Sequence, residues 1–153
     1  HVGPGTFRPV KADNIEDHQM DFEAFTVSPE AAEAINACKR RGGRVFCVGS
    51  TTVRTLETVA AGLAESNGDA AFLPRENRPN VVAAGSGASN IFIYPPYRFR
   101  VCDCMLTNFH LPQSTLLMMI SALAGRERVL CSYAMAVQKN YMFFSYGDCM
   151  LIV

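Results

Sequence analysis

The sequence predicts an α/β domain with a mostly parallel sheet, on three observations: an apolar run of strand length, helical periodicity on both sides of it, and the alternation of the two. Arg44-Val45-Phe46-Cys47-Val48 holds four apolar residues in a row, the pattern of a parallel strand covered on both faces. Before it, Ala31, Ala34, Ile35 and Cys38 recur at helical spacing; after it, Val53, Leu56, Val59, Ala60 and Leu63 do the same. With a short apolar segment at 22–27 ahead of the first helix, the middle of the chain reads strand–helix–strand–helix, a βαβ signature.

The elements follow in order. His1-Val2-Gly3-Pro4-Gly5, with no initiator Met, reads as the end of a strand cut from what precedes it and running into a turn. Ser28-Pro29-Glu30 starts the first helix with an N-cap hydroxyl, a proline at the first helical position and an acid at the positive end. Gly42-Gly43 stops it. Gly49-Ser50-Thr51-Thr52 turns the strand into a helix over roughly 53–65. Residues 66–90, rich in Gly, Asn, Pro and Ser, read as a loop. Ile91-Phe92-Ile93-Tyr94 and Phe99-Arg100-Val101-Cys102 read as two strands around Pro95-Pro96-Tyr97, and 107–112 as a loop. Ser114 caps a helix that is apolar all round and must be buried. A last helix spans roughly 127–138, followed by a turn at 145–148 and the apolar end Cys149 to Val153.

Composition sets the class. In 153 residues, 49% hydrophobic and 18% charged, there is material for one domain with a substantial core. Acidic and basic residues balance at 14 each, so there is no global signal for nucleic acid or membrane. Residues 1–37 hold seven acids against Arg8 and Lys11, which leaves a remainder of twelve bases and seven acids. That remainder suits RNA phosphates, though scattered Lys and Arg more often mark a solvated surface. The six cysteines lie mostly in apolar runs, and Cys102-Asp103-Cys104 has no second pair at zinc spacing, so no metal site is expected and a reducing cytoplasm is. No apolar run reaches the length of a membrane span.

Four segments carry candidate chemistry. Gly49, Ser50, Thr51 and Thr52 stand at a helix start, where unpaired N–H groups suit a phosphate or carboxylate; ordinary N-capping explains them equally well. The loop Asn108-Phe109-His110 puts an acid/base group before a buried helix, with Asp103 near enough in sequence to orient it. Asp17-His18 is a weaker acid–histidine pair. Tyr94, Tyr97 and Phe99 offer a stacking surface for a base. GxGxxG, HExxH and the P-loop lysine are all missing.

Taken together, these blocks resemble the S-adenosylmethionine:tRNA ribosyltransferase-isomerase family of queuosine biosynthesis. The resemblance rests on His1-Val2-Gly3-Pro4-Gly5-Thr6-Phe7-Arg8-Pro9-Val10, Asp17-His18-Gln19-Met20, 48–57, 91–95, 143–152 and, most specifically, Leu106-Thr107-Asn108-Phe109-His110-Leu111-Pro112-Gln113-Ser114-Thr115-Leu116-Leu117-Met118. It implies transfer and isomerisation of the ribosyl part of S-adenosylmethionine onto 7-aminomethyl-7-deazaguanine at the tRNA wobble position, giving epoxyqueuosine and releasing adenine and methionine. It also implies a (β/α)-barrel-like catalytic domain of which residues 1–153 are the C-terminal portion, without the N-terminal part and the inserted β-barrel domain. S-adenosylmethionine enters as co-substrate, with no other cofactor. Expected catalytic residues are His110, then Asp103 and His18. Gly3, Gly5, Thr6, Gly49, Ser50, Thr51, Thr52, Arg54, Tyr97, Asn108 and Phe109 are expected to bind substrate. The chain departs from the family pattern at Asp21, where a second His is usual, at Pro96, usually Gly, and before Asn90, where an aromatic is usual. The alternative from another class is a non-catalytic α/β module that binds RNA or a nucleotide.

Overall fold

A computed structural model of the chain describes residues 1–3, 10, 12, 14–67 (of 64–67 the backbone alone) and 81–153. In chain order it contains β1 (Glu23–Val27), α1 (Pro29–Arg40), β2 (Phe46–Val48), α2 (Ser50–Asn67), β3 (Gly85–Ser89), β4 (Cys104–Asn108), α3 (Thr115–Ala124), α4 (Arg126–Gln138) and β5 (Cys149–Ile152), with a 3-10 turn at Ile15–Asp17 ahead of β1. The class is mixed α/β, as expected.

The expected mostly parallel sheet is corrected. Among the described residues only β2 and β4 pair in parallel, with Val48 opposite Leu106. β5 closes on β4 antiparallel, Leu151 opposite Leu106, and β1 pairs antiparallel with β3 in a separate two-stranded sheet. The βαβ reading joined β1 to β2, but β1 takes β3 instead. β3 is Gly-Ser-Gly-Ala-Ser, which no strand propensity marks. Gly87 lies opposite Phe25, and a Cβ there would sit 3.0 Å from the Phe25 ring, so the missing side chain gives the ring its place.

Two helix starts form as read. Ser28 Oγ accepts from the Ala31 N–H at 3.2 Å, and Ser114 Oγ from the Leu117 N–H at 3.1 Å. No side chain of α3 is fully exposed. The buried face of α1 differs from the expected one: it consists of Ala32, Asn36 and Lys39, with Ile35 and Cys38 half-buried. The strand segments 91–94 and 99–102 are not strands. The backbone of the second is held by a side chain: Glu57, fully buried, accepts from the N–H groups of Arg100, Val101 and Cys102, each at 2.9 Å, and from Tyr97 Oη at 3.2 Å. The strand that does form, β4, begins two residues later and runs into the segment read as a loop at 107–112.

One core joins these pieces, through Cys47, Val53, Leu56, Val82, Val101, Met105, Ile120 and Val129. β2 is covered on one side only. Cys47 points into the core, while Phe46 and Val48 are 51% and 66% exposed, because strand residues alternate between faces and no described element lies over the outer one.

Candidate functional site

β2 and β4 are parallel neighbours, so their C-terminal ends open on the same side, where open α/β sheets place ligands. There the chain leaves β2 through Gly49 and Ser50 into α2, and leaves β4 through Phe109, His110 and Leu111 toward α3. A cavity of about 300 Å³ lies between these two exits. Its polar lining is Gly49, Ser50, Thr107, Asn108, His110, Ser114 and Ser145; Phe109, Leu111, Leu116 and Phe144 supply the apolar walls.

Gly49 makes the first exit possible. Its φ of +81° is a left-handed conformation that favours glycine, and its N–H donates to Leu106 O at 2.9 Å, continuing the β2–β4 pairing past the strand. The helical period then separates the expected anion-binding quartet. Gly49 and Ser50 line this cavity, whereas Thr51 and Thr52 line a different groove beside Val27 and Ser28. Thr52 Oγ1 turns back to donate to Val48 O at 2.8 Å.

His110 is held on two sides. Its backbone N–H donates to Tyr133 Oη at 2.9 Å, and its ring Nε2 shares a hydrogen bond of 2.8 Å with Thr107 Oγ1. Burial without a compensating acid pushes its pKa down to about 4, so at neutral pH the ring is uncharged. Asn108 reaches the other way: its Nδ2 donates to Gly147 O and Asp148 O at 3.4 and 3.3 Å. Phe109, buried, packs its ring against Tyr133, Tyr141 and Phe143 at 5.2–5.7 Å. Its carbonyl accepts from the Phe144 N–H at 3.1 Å. These contacts seat the turn before β5 over the end of β4 and make Phe144 and Ser145 the far wall.

The other expected site residues lie elsewhere. Asp103 precedes β4 at its opposite end and accepts from Lys39 Nζ at 2.7 Å and the Val45 N–H at 2.8 Å. Five strand residues, about 16 Å of chain, separate it from the His110 exit, so the expected orientation of His110 by Asp103 is not formed. His18 packs edge-on against Phe92 at 5.0 Å, and Phe92 against Tyr94 at 4.8 Å; His18 does not line the cavity. Arg54 is buried in an ion pair with Glu23 at 2.7 Å. The second oxygen of Glu23 accepts from the Gly3 N–H at 2.9 Å. Burial lowers the Arg54 pKa, opposed by the Glu23 charge. Tyr97 is bound to Glu57, and burial raises its pKa, with the Glu57 charge acting in the same direction. Gly5 and Thr6 lie outside the described residues.

Sequence reasoning missed Glu57, Tyr133, Phe144 and Ser145. Glu57 sat inside a recognised block but looked like a solvated helix residue. Tyr133 carried no local signal at all. Among the described residues no group of three or more His, Cys, Asp or Glu is placed to hold a metal.

Comparison with known proteins places this geometry. A family model described as "Queuosine biosynthesis protein" matches residues 1–152. Proteins named S-adenosylmethionine:tRNA ribosyltransferase-isomerase from Moorella thermoacetica and Heliobacterium modesticaldum are 52% and 56% identical over 153 residues, all of this chain and 40% of theirs. The crystal structure of an S-adenosylmethionine tRNA ribosyltransferase from Thermotoga maritima superposes with a TM-score of 0.66 at 40% identity, covering 86% of this chain and 40% of that one. The chain thus spans about two fifths of the length of the relatives it matches. These matches favour the enzyme family over a non-catalytic binding module.

Proposed function

Because the chain belongs to the queuosine biosynthesis protein family, we propose that it carries part of the active site of a tRNA ribosyltransferase-isomerase. The reaction moves and isomerises the ribosyl group of S-adenosylmethionine onto the aminomethyl group of a 7-deazaguanine base in tRNA. The rest of the site lies in the remaining three fifths of the relatives' length. In this reading the chain is the later part of a larger (β/α)-barrel-like catalytic domain acting in the cytoplasm, and alone it does not complete the reaction. S-adenosylmethionine is the co-substrate and tRNA the partner. Of the described residues, no helix is long and apolar enough to cross a membrane.

The observation that carries the reading is the His110 cavity at the C-terminal ends of the parallel pair β2 and β4, built from the most specific of the matching blocks. The chemistry requires a proton to leave the carbon beside the sulfonium, adenine to depart, and the attacking amine to be neutral. A neutral imidazole in a half-buried loop can accept or relay one of those protons. Asn108 and Ser50 supply hydrogen bonds that hold substrate in place, and Gly49, whose N–H donates to Leu106 O, shapes the exit from β2. Asp103 and His18, away from the cavity, have no part in this reading.

The test is a chimera. The matching segment of the Moorella thermoacetica relative is replaced by this chain, and adenine release from S-adenosylmethionine is followed with substrate tRNA. Turnover within about tenfold of the parent, a barrier change of about 1.4 kcal/mol, is expected. A folded chimera that releases no adenine refutes the proposal. His110→Ala in an active chimera should lower turnover by roughly 10²–10⁴.

A further inference from the structure

Resting on that reading, we propose that the cavity between Gly49 and Phe144 is the adenine subsite of S-adenosylmethionine, and that the charged methionine half binds outside it. S-adenosylmethionine has two unlike ends. One carries a sulfonium, an ammonium and a carboxylate; the other is an uncharged planar purine with ring nitrogens that accept hydrogen bonds and an exocyclic amine that donates them. A site for the first end needs opposite charges, because burying an unpaired ion is costly. Among the described residues no Asp, Glu, Lys or Arg lines this cavity, and the titratable side chain of that lining, His110, is uncharged at neutral pH. The described lining therefore offers no ion partner to the methionine end or to the phosphates of tRNA.

What the lining offers fits a purine. Phe109, Leu116 and Phe144 give apolar walls, and an aromatic face such as that of Phe144, 59% exposed, is a stacking surface for a heterocycle. Asn108 has its amide hydrogens directed to the carbonyls of Gly147 and Asp148. Its own amide oxygen is left to accept from an exocyclic amine. Ser50, at the exit from β2, and Ser145, in the turn before β5, also line the cavity and carry hydroxyls able to donate to ring nitrogens. The volume of about 300 Å³ is at the low end for ligand pockets, enough for a purine and part of its sugar but not for the whole molecule. The 7-deazaguanine substrate fits less well, since it arrives attached to the charged tRNA backbone.

The experiment titrates the isotopically labelled chain with adenine and, separately, with methionine, following backbone amide signals by NMR. Adenine is expected to shift Gly49, Ser50, Asn108, His110 and Ser145 with millimolar or tighter affinity, the range open to a ligand of about ten heavy atoms. Methionine should leave those signals unmoved. Phe144→Ala, a change at an exposed position, should weaken adenine at least about fivefold. Affinity should also be unchanged between low and high salt, because no charge is neutralised. Methionine shifting these signals, adenine shifting none of them, or binding that falls steeply with salt would each overturn the assignment. The outcomes separate from those of the chimera. An active chimera with adenine bound elsewhere removes the subsite and leaves the enzyme reading. Adenine in the cavity of a chain whose chimera is inactive does the reverse.

Discussion

Replacing Glu57 by Gln changes one atom in the fully buried carboxylate that holds residues 97–102, and its cost can be worked from the contacts. Oε1 accepts from Val101 and Cys102, and Oε2 from Arg100 and Tyr97. A glutamine can keep its oxygen on the first pair, but its NH₂ then meets the Arg100 N–H, donor against donor. That loses one charge-assisted bond and leaves a donor without its acceptor, about 1–3 kcal/mol. The two retained bonds weaken as their acceptor becomes neutral, at roughly 0.5–1 kcal/mol each. A neutral amide is cheaper to bury, which offsets part of this. The expected net loss is about 3 kcal/mol, a Tm lower by roughly 6–12 °C in a chain of this size. Tyr97→Phe removes only the phenol donor at 3.2 Å and should cost about 1 kcal/mol. Urea unfolding of both variants gives the energies, and hydrogen exchange at Arg100, Val101 and Cys102 tells whether the loss is local to this anchor. A Glu57→Gln chain as stable as the parent within about 0.5 kcal/mol, with those three amides exchanging no faster, would refute the claim that this carboxylate orders the entry to β4.

Three further changes test other parts of the site. The folded pKa of His110, about 4, lies below its ordinary value. Between pH 6.5 and 4 the unfolded chain therefore binds a proton that the folded chain refuses, so stability is fully present above 6.5 and lost as pH falls toward 4. His110→Asn should flatten that slope by about 2–3 kcal/mol, allowing for partial exposure of the ring, as read from urea midpoints at pH 7 and 4.5. Gly147→Ala drives a Cβ into the backbone carbonyl oxygens of Met142 and Phe143, where only backbone can move. The turn should open at a cost of roughly 2–3 kcal/mol, seen as lost Phe144 and Ser145 signals and lost adenine binding. Lys39→Met removes the ion pair with Asp103, whose side chain is 32% exposed, and should cost about 1–2 kcal/mol while leaving adenine binding unchanged; a weakened site would restore a role for Asp103.

The parts of the fold that local chemistry specifies were legible. The Ser28 and Ser114 caps, the start of α2 at the end of β2 and the burial of α3 each depend on residues within a few positions of one another. What was not legible depends on partners far away in sequence. Asn36 binds the backbone of Val81 and Val82, Lys39 binds Asp103, Arg54 binds Glu23 and Glu57 binds 97–102. Each is a polar residue that helical periodicity assigns to solvent and that a distant partner makes buriable. The same cause misplaced the strands: 99–102 has strand-like composition, but its amides are taken by a carboxylate rather than a neighbouring strand. β3 went unread because a Gly/Ser run has no propensity and is defined only by its pairing with β1. In the site, Gly49, Ser50, Asn108, Phe109 and His110 followed from the logic of strand ends and helix starts. Phe144 and Ser145 did not, since the wall they form exists only because Phe109 and Asn108 hold the turn before β5.

The environment of His110 also limits which proton it can handle. With its pKa pushed down to about 4 by burial, the ring is unprotonated at neutral pH, so in the proposed reaction it is poorly poised to donate a proton to departing adenine. In the proposed reaction the unprotonated ring is available to accept or relay a proton, and a negative charge beside it would strengthen it as a base. Its described lining supplies none, and Asp103, the nearest acid in sequence, is committed to Lys39 and Val45 at the far end of β4. If the cavity holds the uncharged adenine, this neutrality is useful in itself. An imidazole fixed by Thr107 and Tyr133 donates or accepts a hydrogen bond without bringing a charge into an apolar pocket. In the proposed reaction, binding the charged methionine end then falls to residues in the part of the relatives' length that this chain does not span.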